Sequence, residues 1–206
     1  MIKIGILGDI GSGKSFISKQ FGYPVFNADN EVNKIYKTNR NSFKKLKKEF
    51  PKYVSSFPIK RKELFQIILN NKKNIKKINK IVHPMVQFKM NKFLKKNKYK
   101  KFIILDVPLL LEKKINKKND ILVFVNSKKK EIMKRLNKRP NFNLKVFSIL
   151  NSFQLSLEIK KKKANFVIKN NFRSSILKKN VKLLKKMLLK KYEGNNLRYR
   201  NYRYFN

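Results

Sequence analysis

Residues 8–15 read Gly8-Asp9-Ile10-Gly11-Ser12-Gly13-Lys14-Ser15, a glycine-lined loop set directly between an apolar run at residues 2–7 and a stretch of helical spacing. A strand that feeds such a loop into a helix opens a βαβ unit, so the expected fold class is α/β with a parallel sheet. The spacing also states what the loop holds. A phosphate chain needs several backbone N–H groups turned inward together, and Gly8, Gly11 and Gly13 let the backbone approach without side-chain clashes. The helix that starts near Lys14 aims its positive end at the same point. The predicted site is a nucleoside triphosphate cradle, completed by Ser12 and the backbone of Phe16. Lys14 supplies charge to the β- and γ-phosphates, and the Ser15 hydroxyl is the expected ligand of Mg²⁺.

Shorter apolar runs at residues 24–26, 101–105, 121–125 and 166–168 alternate with helical patterns, which predicts a roughly five-stranded parallel sheet flanked by helices. Between the second of these strands and residue 101, apolar residues recur at helical spacing with no good strand. This predicts a helical insertion over residues 38–100, placed to hold a second substrate. Residues 128–163 read as two helices joined by an Arg139-Pro140-Asn141 break, and residues 172–189 as a final amphipathic helix. The expected nucleotide-binding core is therefore 1–37 and 101–191. Residues 192–206 interleave Arg with Tyr, a pattern that can stack on single-stranded RNA or be a solvated tail. Termini concentrate disorder, so a disordered tail is the expectation.

The net charge of +43, from 54 Lys plus Arg against 11 Asp plus Glu, would ordinarily point to nucleic acid. Here the cations are mostly Lys and are spread through every predicted helix. They accompany heavy use of Asn, Ile and Phe, which are residues with A- and T-rich codons. The charge reads as mutational background, with no specific nucleic-acid partner expected. Nonspecific association with polyanions and self-repulsion at low salt remain its physical consequences. No cysteine is present, which removes disulfides, thiolate metal sites and thiol nucleophiles together. No signal-like start and no apolar run long enough to span a membrane are seen, so a cytoplasmic protein is expected; a monomer or weak homo-oligomer is the default, which no residue pattern decides.

Because acids are scarce, their positions inform. The four aspartates are Asp9 in the loop, Asp29 and Asp106 after apolar runs, and Asp120 just before one. An aspartate at the C-terminal end of a parallel strand stands where α/β folds place chemistry. Helix caps and turns are the other common uses of Asp, and a turn is the reading for Asp120. A GTPase would need Asn-Lys-x-Asp, whereas the nearest segment, Asn116-Lys117-Lys118-Asn119, ends in an amide where the guanine-reading carboxylate must be.

At this point the chain resembles the dephospho-coenzyme A kinase family. The loop 8–15 is similar to that family's Gly-Gly-Ile-Gly-Ser-Gly-Lys-Ser, and Phe26-Asn27-Ala28-Asp29 to its apolar-Asp-Ala-Asp. Arg61-Lys62-Glu63-Leu64 and Ile81-Val82-His83-Pro84 resemble its Arg-x-x-Leu and Leu-x-His-Pro segments. Asp106-Val107-Pro108-Leu109-Leu110-Leu111-Glu112 follows Asp-x-Pro-Leu-Leu-x-Glu. Arg135 and Arg139 match two lid arginines, and residues 164–170 resemble the terminal Ala-Asp-Phe-Val-Ile-x-Asn strand. The likeness runs in order to about Asn171. It implies a P-loop kinase that uses ATP and Mg²⁺ to phosphorylate the ribose 3′-hydroxyl of dephospho-CoA, with a helical lid within about 136–160.

The resemblance also implies roles. Asp29 is the expected base that orients the acceptor hydroxyl and takes its proton, with an N-cap as its other reading. Asp106 ends a strand in the manner of a Walker B carboxylate and is expected to hold a water of the Mg²⁺ shell. Arg135 and Arg139, four apart on one helix face, are expected to stabilise charge on the transferring phosphoryl group. Arg61, His83, Pro84, Leu109 and Leu110 are assigned to the substrate side. His83 is the only histidine and is given site shape rather than proton transfer.

Several positions depart from the family pattern. Asp9 puts a carboxylate beside a polyphosphate and must point outward. Asn27 replaces the first Asp of Asp-Ala-Asp, and Phe16 stands for a Thr. Leu144 and Leu157 occupy places where family members often carry Arg, which is expected to weaken lid closure. Two rival readings remain open at this level: another small-molecule P-loop kinase, and a basic nucleic-acid-binding protein on the same scaffold.

Overall fold

The computed structural model describes residues 1–140, 142–192 and 204–205. Six strands form one sheet in the order β2-β3-β1-β4-β5-β6. They are β1 (Ile2–Gly8), β2 (Val25–Asn27), β3 (Phe102–Asp106), β4 (Ile121–Asn126), β5 (Phe166–Lys169) and β6 (Tyr204–Phe205). The pairings β1 with β3, β1 with β4, β4 with β5 and β5 with β6 are all parallel. Every residue of β3, and all of β4 but Asn126, is buried. Both faces are covered, which is why these strands read as continuous apolar runs rather than alternating ones.

Nine helices stand among the described residues: α1 (Lys14–Gln20), α2 (Ala28–Thr38), α3 (Arg40–Glu49), α4 (Arg61–Asn70), α5 (Asn74–Lys96), α6 (Lys129–Asn137), α7 (Leu144–Asn151), α8 (Leu157–Lys163) and α9 (Ser174–Tyr192). The chain divides into two compact units. The first comprises Met1–Phe26, Tyr99–Arg139 and Gln154–Asn206. Its core joins β1, β3, β4 and β5 to Ile17 and Phe21 of α1 and to Leu177, Val181, Leu184 and Leu188 of α9.

The second unit comprises Asn27–Lys98 and Pro140–Phe153. Its core gathers Ile35, Leu46, Phe50, Val54, Ile67, Ile75, Ile78, Val82 and Val146. Here the division differs from the boundaries drawn from the sequence. Helix α2 groups with the helical unit because it packs on α5, and residues 140–153 join it because α7 packs on α4. Neither contact is local, so periodicity did not reveal it.

Three further differences are informative. Residues 128–163 form three helices, not two, because Asn143 and Ser156 each start a new one, accepting from the N–H of Val146 and Ile159. The sheet gains a sixth strand from the tail that was expected to be disordered. Tyr204 and Phe205 lie in register with Val167 and Ile168, and Phe205 is buried with its ring 6.3 Å from that of Phe166. An apolar ring with a place in the core and a free strand edge to pair with outweighs the polar composition around it. The rest of the Arg/Tyr segment, residues 193–203 and 206, lies outside the described residues, as does Asn141 of the expected break.

Candidate active site

In the first unit the carboxyl ends of β1, β3, β4 and β5 open on one edge of the sheet, the edge where open α/β folds bind ligands. Each end delivers one piece. The glycine loop follows β1, Asp106 is the last residue of β3, Ser127 follows β4, and Asn170 follows β5.

The loop needs its glycines for two separate reasons. Gly8, Gly11 and Gly13 have φ of +143°, +84° and +94°, a region that side chains with a Cβ rarely adopt. The loop is also pressed against its surroundings: a Cβ at Gly13 would lie 2.4 Å from Asn170 Nδ2, and one at Gly8 2.8 Å from both Ser12 Oγ and the Val125 carbonyl. Behind the loop, the Ser12 carbonyl accepts from Asn170 Nδ2 at 2.7 Å and from Ser127 Oγ at 2.9 Å. Asn170 Oδ1 in turn accepts the Phe172 N–H at 2.7 Å.

This cradle fits an anion. Helix α1 begins at Gly13 with no side-chain cap, so its positive end is not closed by a protein carboxylate or hydroxyl. The Ser12 hydroxyl is buried and has no hydrogen-bond partner, the kind of orphan that a buried polar site is expected to satisfy. The Lys14 ammonium donates to the carbonyls of Gly8 at 3.2 Å and Asp9 at 2.6 Å, which holds it at the loop. Asp9 Oδ1 accepts the N–H of Ile10 at 2.7 Å, tying that carboxylate to its own turn. The Phe16 N–H donates to Gly13 O at 3.1 Å and its ring is exposed.

Ser15 Oγ donates to Asp106 Oδ2 at 2.6 Å, and Asp106 is 3% exposed. A hydroxyl and a carboxylate are hard oxygen donors. Among the described residues no group of three or more His, Cys, Asp or Glu could hold a metal alone. That set suits Mg²⁺, which takes one or two protein oxygens and fills its octahedron with water and phosphate.

Arg135 lies on α6, exposed, with its guanidinium carbon 4.4 Å from the centroid of the Phe172 ring. Arg139 does not share its helix face, which corrects the sequence reading. Helix α6 stops at Asn137 with Lys138 as its cap, and the Arg139 N–H closes a turn onto Leu136 O. The residue before a proline is pushed out of the helical region, and Pro140 follows directly. Leu110 is 1% exposed and sits under Gly5, where a Cβ would come within 2.4 Å of Leu110 Cδ2. It seats the loop after Asp106 from within, while Leu109 is half-buried. Leu157 is exposed at the first position of α8.

The second unit carries the remaining residues. Asp29 is exposed in the first turn of α2, and the cap of that helix is Asn27, whose side chain accepts the Asn30 N–H at 2.7 Å. The N-cap reading of Asp29 therefore falls, and the departure at Asn27 gains a role. Arg61 opens α4 with its guanidinium 5.6 Å from the Phe65 centroid. His83 is half-buried and Pro84 exposed, midway along α5, the helix on which α2 packs. Leu144 is exposed at the first position of α7.

Glu63, read only as part of a motif, is 7% exposed. Its Oε1 accepts from the N–H groups of Ser55 and Ser56 and the Ser55 hydroxyl, and its Oε2 accepts from the Lys60 N–H. Burial pushes this carboxyl up, but the hydrogen bonds outweigh it and hold the pKa below the usual carboxylate range. Two residues of the first unit were also undervalued. Asn170 enters the sequence reading only as the end of the 164–170 motif, and Ser127 carries no local signal, because both act through the Ser12 carbonyl more than a hundred residues away.

A family model described as "Dephospho-CoA kinase" matches residues 2–175. The chain is 34% identical to the dephospho-CoA kinase of Bartonella quintana over 170 residues, which cover 80% of this chain and 87% of that protein. It is 35% identical to that of Wolbachia pipientis wMel over the same shares. Among solved structures, a Thermus thermophilus protein superposes with a TM-score of 0.72 at 26% identity, covering 92% of this chain and 97% of the other. The dephospho-CoA kinase of Campylobacter jejuni shares the fold with a TM-score of 0.61 at 23% identity, covering 94% of this chain and 98% of the other. A match over most of the chain, with its motifs on the strand ends just described, has one reading: the chain belongs to the dephospho-CoA kinase family.

Proposed function

We infer that this chain transfers the γ-phosphoryl group of ATP to the ribose 3′-hydroxyl of dephospho-CoA, giving CoA and ADP. The observation that carries the reading is the Ser15–Asp106 hydrogen bond at the mouth of the glycine loop. It joins the hydroxyl of the phosphate loop to a strand-end carboxylate, the pair that phosphoryl transfer uses at its metal ion. Ser15 and Asp106 would hold Mg²⁺ there, and the ion would supply positive charge against the charge that develops in transfer.

Lys14 exchanges its carbonyl partners for β- and γ-phosphate oxygens. The uncapped start of α1 and the glycine N–H groups bind the phosphate chain. Arg135 stabilises negative charge on the transferring group, and Arg139, freed from the helix, acts from the turn that leads into the lid. Asp29 orients the ribose hydroxyl and accepts its proton as the oxygen attacks phosphorus. Arg61, His83 and Pro84, carried by the helical insertion, and Leu109, in the loop after Asp106, belong to the acceptor side, with a lid within residues 136–160. The working location is the cytoplasm, as a monomer or weak homo-oligomer.

The test is to mix purified protein with ATP, Mg²⁺ and dephospho-CoA and follow CoA and ADP. ADP release that depends on dephospho-CoA, and that disappears in Lys14→Ala, supports the reading. ATP turnover indifferent to dephospho-CoA refutes it.

A further inference from the structure

Four lysines in a row, residues 160–163, end helix α8, and composition treats all of them as solvated charge. Lys160 is instead 1% exposed. A helix turns about 100° per residue, so one residue of such a run faces the core while its neighbours look outward. Its ammonium donates to Gln154 Oε1 at 2.6 Å and lies 3.1 Å from Glu112 Oε1. The same Glu112 oxygen accepts the backbone N–H of Leu155 at 2.8 Å, and the Lys160 N–H closes onto the Ser156 carbonyl.

A buried ion pair is a poor way to gain stability. Two charges leave water, and apolar residues of the same volume do as well or better. Here Glu112 also keeps its second oxygen buried without a partner, a further cost. What the pair does supply is place. Its targets are Gln154 and Leu155, the first two residues after Pro140–Phe153 at which the chain rejoins the first unit. Its origin is the loop that follows Asp106, the carboxylate that holds Ser15.

We propose that Glu112 and Lys160 are positioning residues for phosphoryl transfer, pinning Gln154 and Leu155, where the chain returns from residues 140–153, to the loop that carries Asp106. The proposal rests on the function above, in which that segment serves as the lid. A lid fixed at one end closes along a defined path, and reacting groups misplaced by about 1 Å lose roughly two orders of magnitude in rate. The pin touches neither substrate. It sets where Gln154 and Leu155 stand relative to the carboxylate loop.

The test compares the parent with the neutral pair Glu112→Gln plus Lys160→Met, which leaves no unpaired charge behind, and with Lys160→Met alone. Amide exchange should rise about tenfold at residues 154–156 and across 140–153, while β3 and β4 keep their protection. With ATP and dephospho-CoA, kcat should fall about tenfold with the KM for dephospho-CoA changed less than about twofold. Exchange at residues 140–156 equal to the parent overturns the proposal. So does a uniform rise across the first unit with kcat per folded molecule unchanged, since that marks the pair as structural only. If the parent itself makes no CoA, the functional reading fails, and the exchange data, which need no turnover, still decide the pin.

Discussion

Gly13→Ala is the sharpest single perturbation of the phosphate loop, because two independent costs meet at one atom. The first is backbone strain: φ at Gly13 is +94°, and a residue with a Cβ pays about 1–2 kcal/mol for a left-handed conformation. The second is collision. The new methyl would stand 2.4 Å from Asn170 Nδ2, inside any van der Waals contact, so the Asn170 amide must move and give up its bond to the Ser12 carbonyl. Losing a buried hydrogen bond costs about 1–3 kcal/mol. The sum is about 2–5 kcal/mol, and at roughly 2–4 °C per kcal/mol for a chain of this size it lowers Tm by about 5 °C or more.

A double-mutant cycle separates the two costs. Asn170→Ala alone should cost about 1–3 kcal/mol, since Ser127 Oγ still satisfies the Ser12 carbonyl but the Phe172 N–H loses its acceptor. Combined with Gly13→Ala it removes the collision but not the strain, so the pair should be less destabilised than the sum by about 1 kcal/mol or more. Thermal and urea unfolding followed by circular dichroism give the numbers. A Gly13→Ala protein as stable as the parent, or two strictly additive substitutions, would refute the picture of a loop pressed onto Asn170.

Three other substitutions test separate parts of the molecule. Asp29→Asn should leave ATP affinity unchanged and cut turnover by about two orders of magnitude or more; near-normal kcat removes Asp29 from the mechanism. Glu63→Gln should cost about 1–3 kcal/mol at pH 7, because one amide oxygen cannot serve all the donors that face the carboxylate. The Glu63 pKa is lower folded than unfolded, so its contribution is complete above the unfolded value of about 4.3 and is lost as pH falls through the folded value; the gap between variant and parent should close in acid. A gap that does not narrow as pH falls below the unfolded value refutes the caged carboxylate. Phe205→Ser should cost about 2 kcal/mol of burial and bare the β5 edge, read as a lower Tm and as self-association on gel filtration; an unchanged Tm would show that β6 adds nothing.

Much of the fold was legible because it rests on local patterns. Buried parallel strands announce themselves as apolar runs, and those at residues 2–7, 101–105, 121–125 and 166–168 fall within a residue or two of β1, β3, β4 and β5. Asp106 was legible for the same reason, since a strand end is a local feature. Other readings turned on places where local signals compete. Asn27, Ala28 and Asp29 offer two capping residues for one helix start, and only the folded backbone shows that Asn27 takes the cap. Arg135 and Arg139 have helical spacing, yet Pro140 ends the helix between them.

The chain's order of residues was by itself enough to determine a phosphate cradle on a βαβ core, because glycine conformations, strand runs and helix starts are decided within a few neighbours. Tertiary structure alone decided which lysine of residues 160–163 is buried beside Glu112, that Ser127 and Asn170 share the Ser12 carbonyl, that residues 140–153 group with the helical unit, and that Tyr204 and Phe205 complete the sheet. These contacts join residues that are distant in the chain, and no periodicity encodes them. They are set by which surfaces meet once the core has closed.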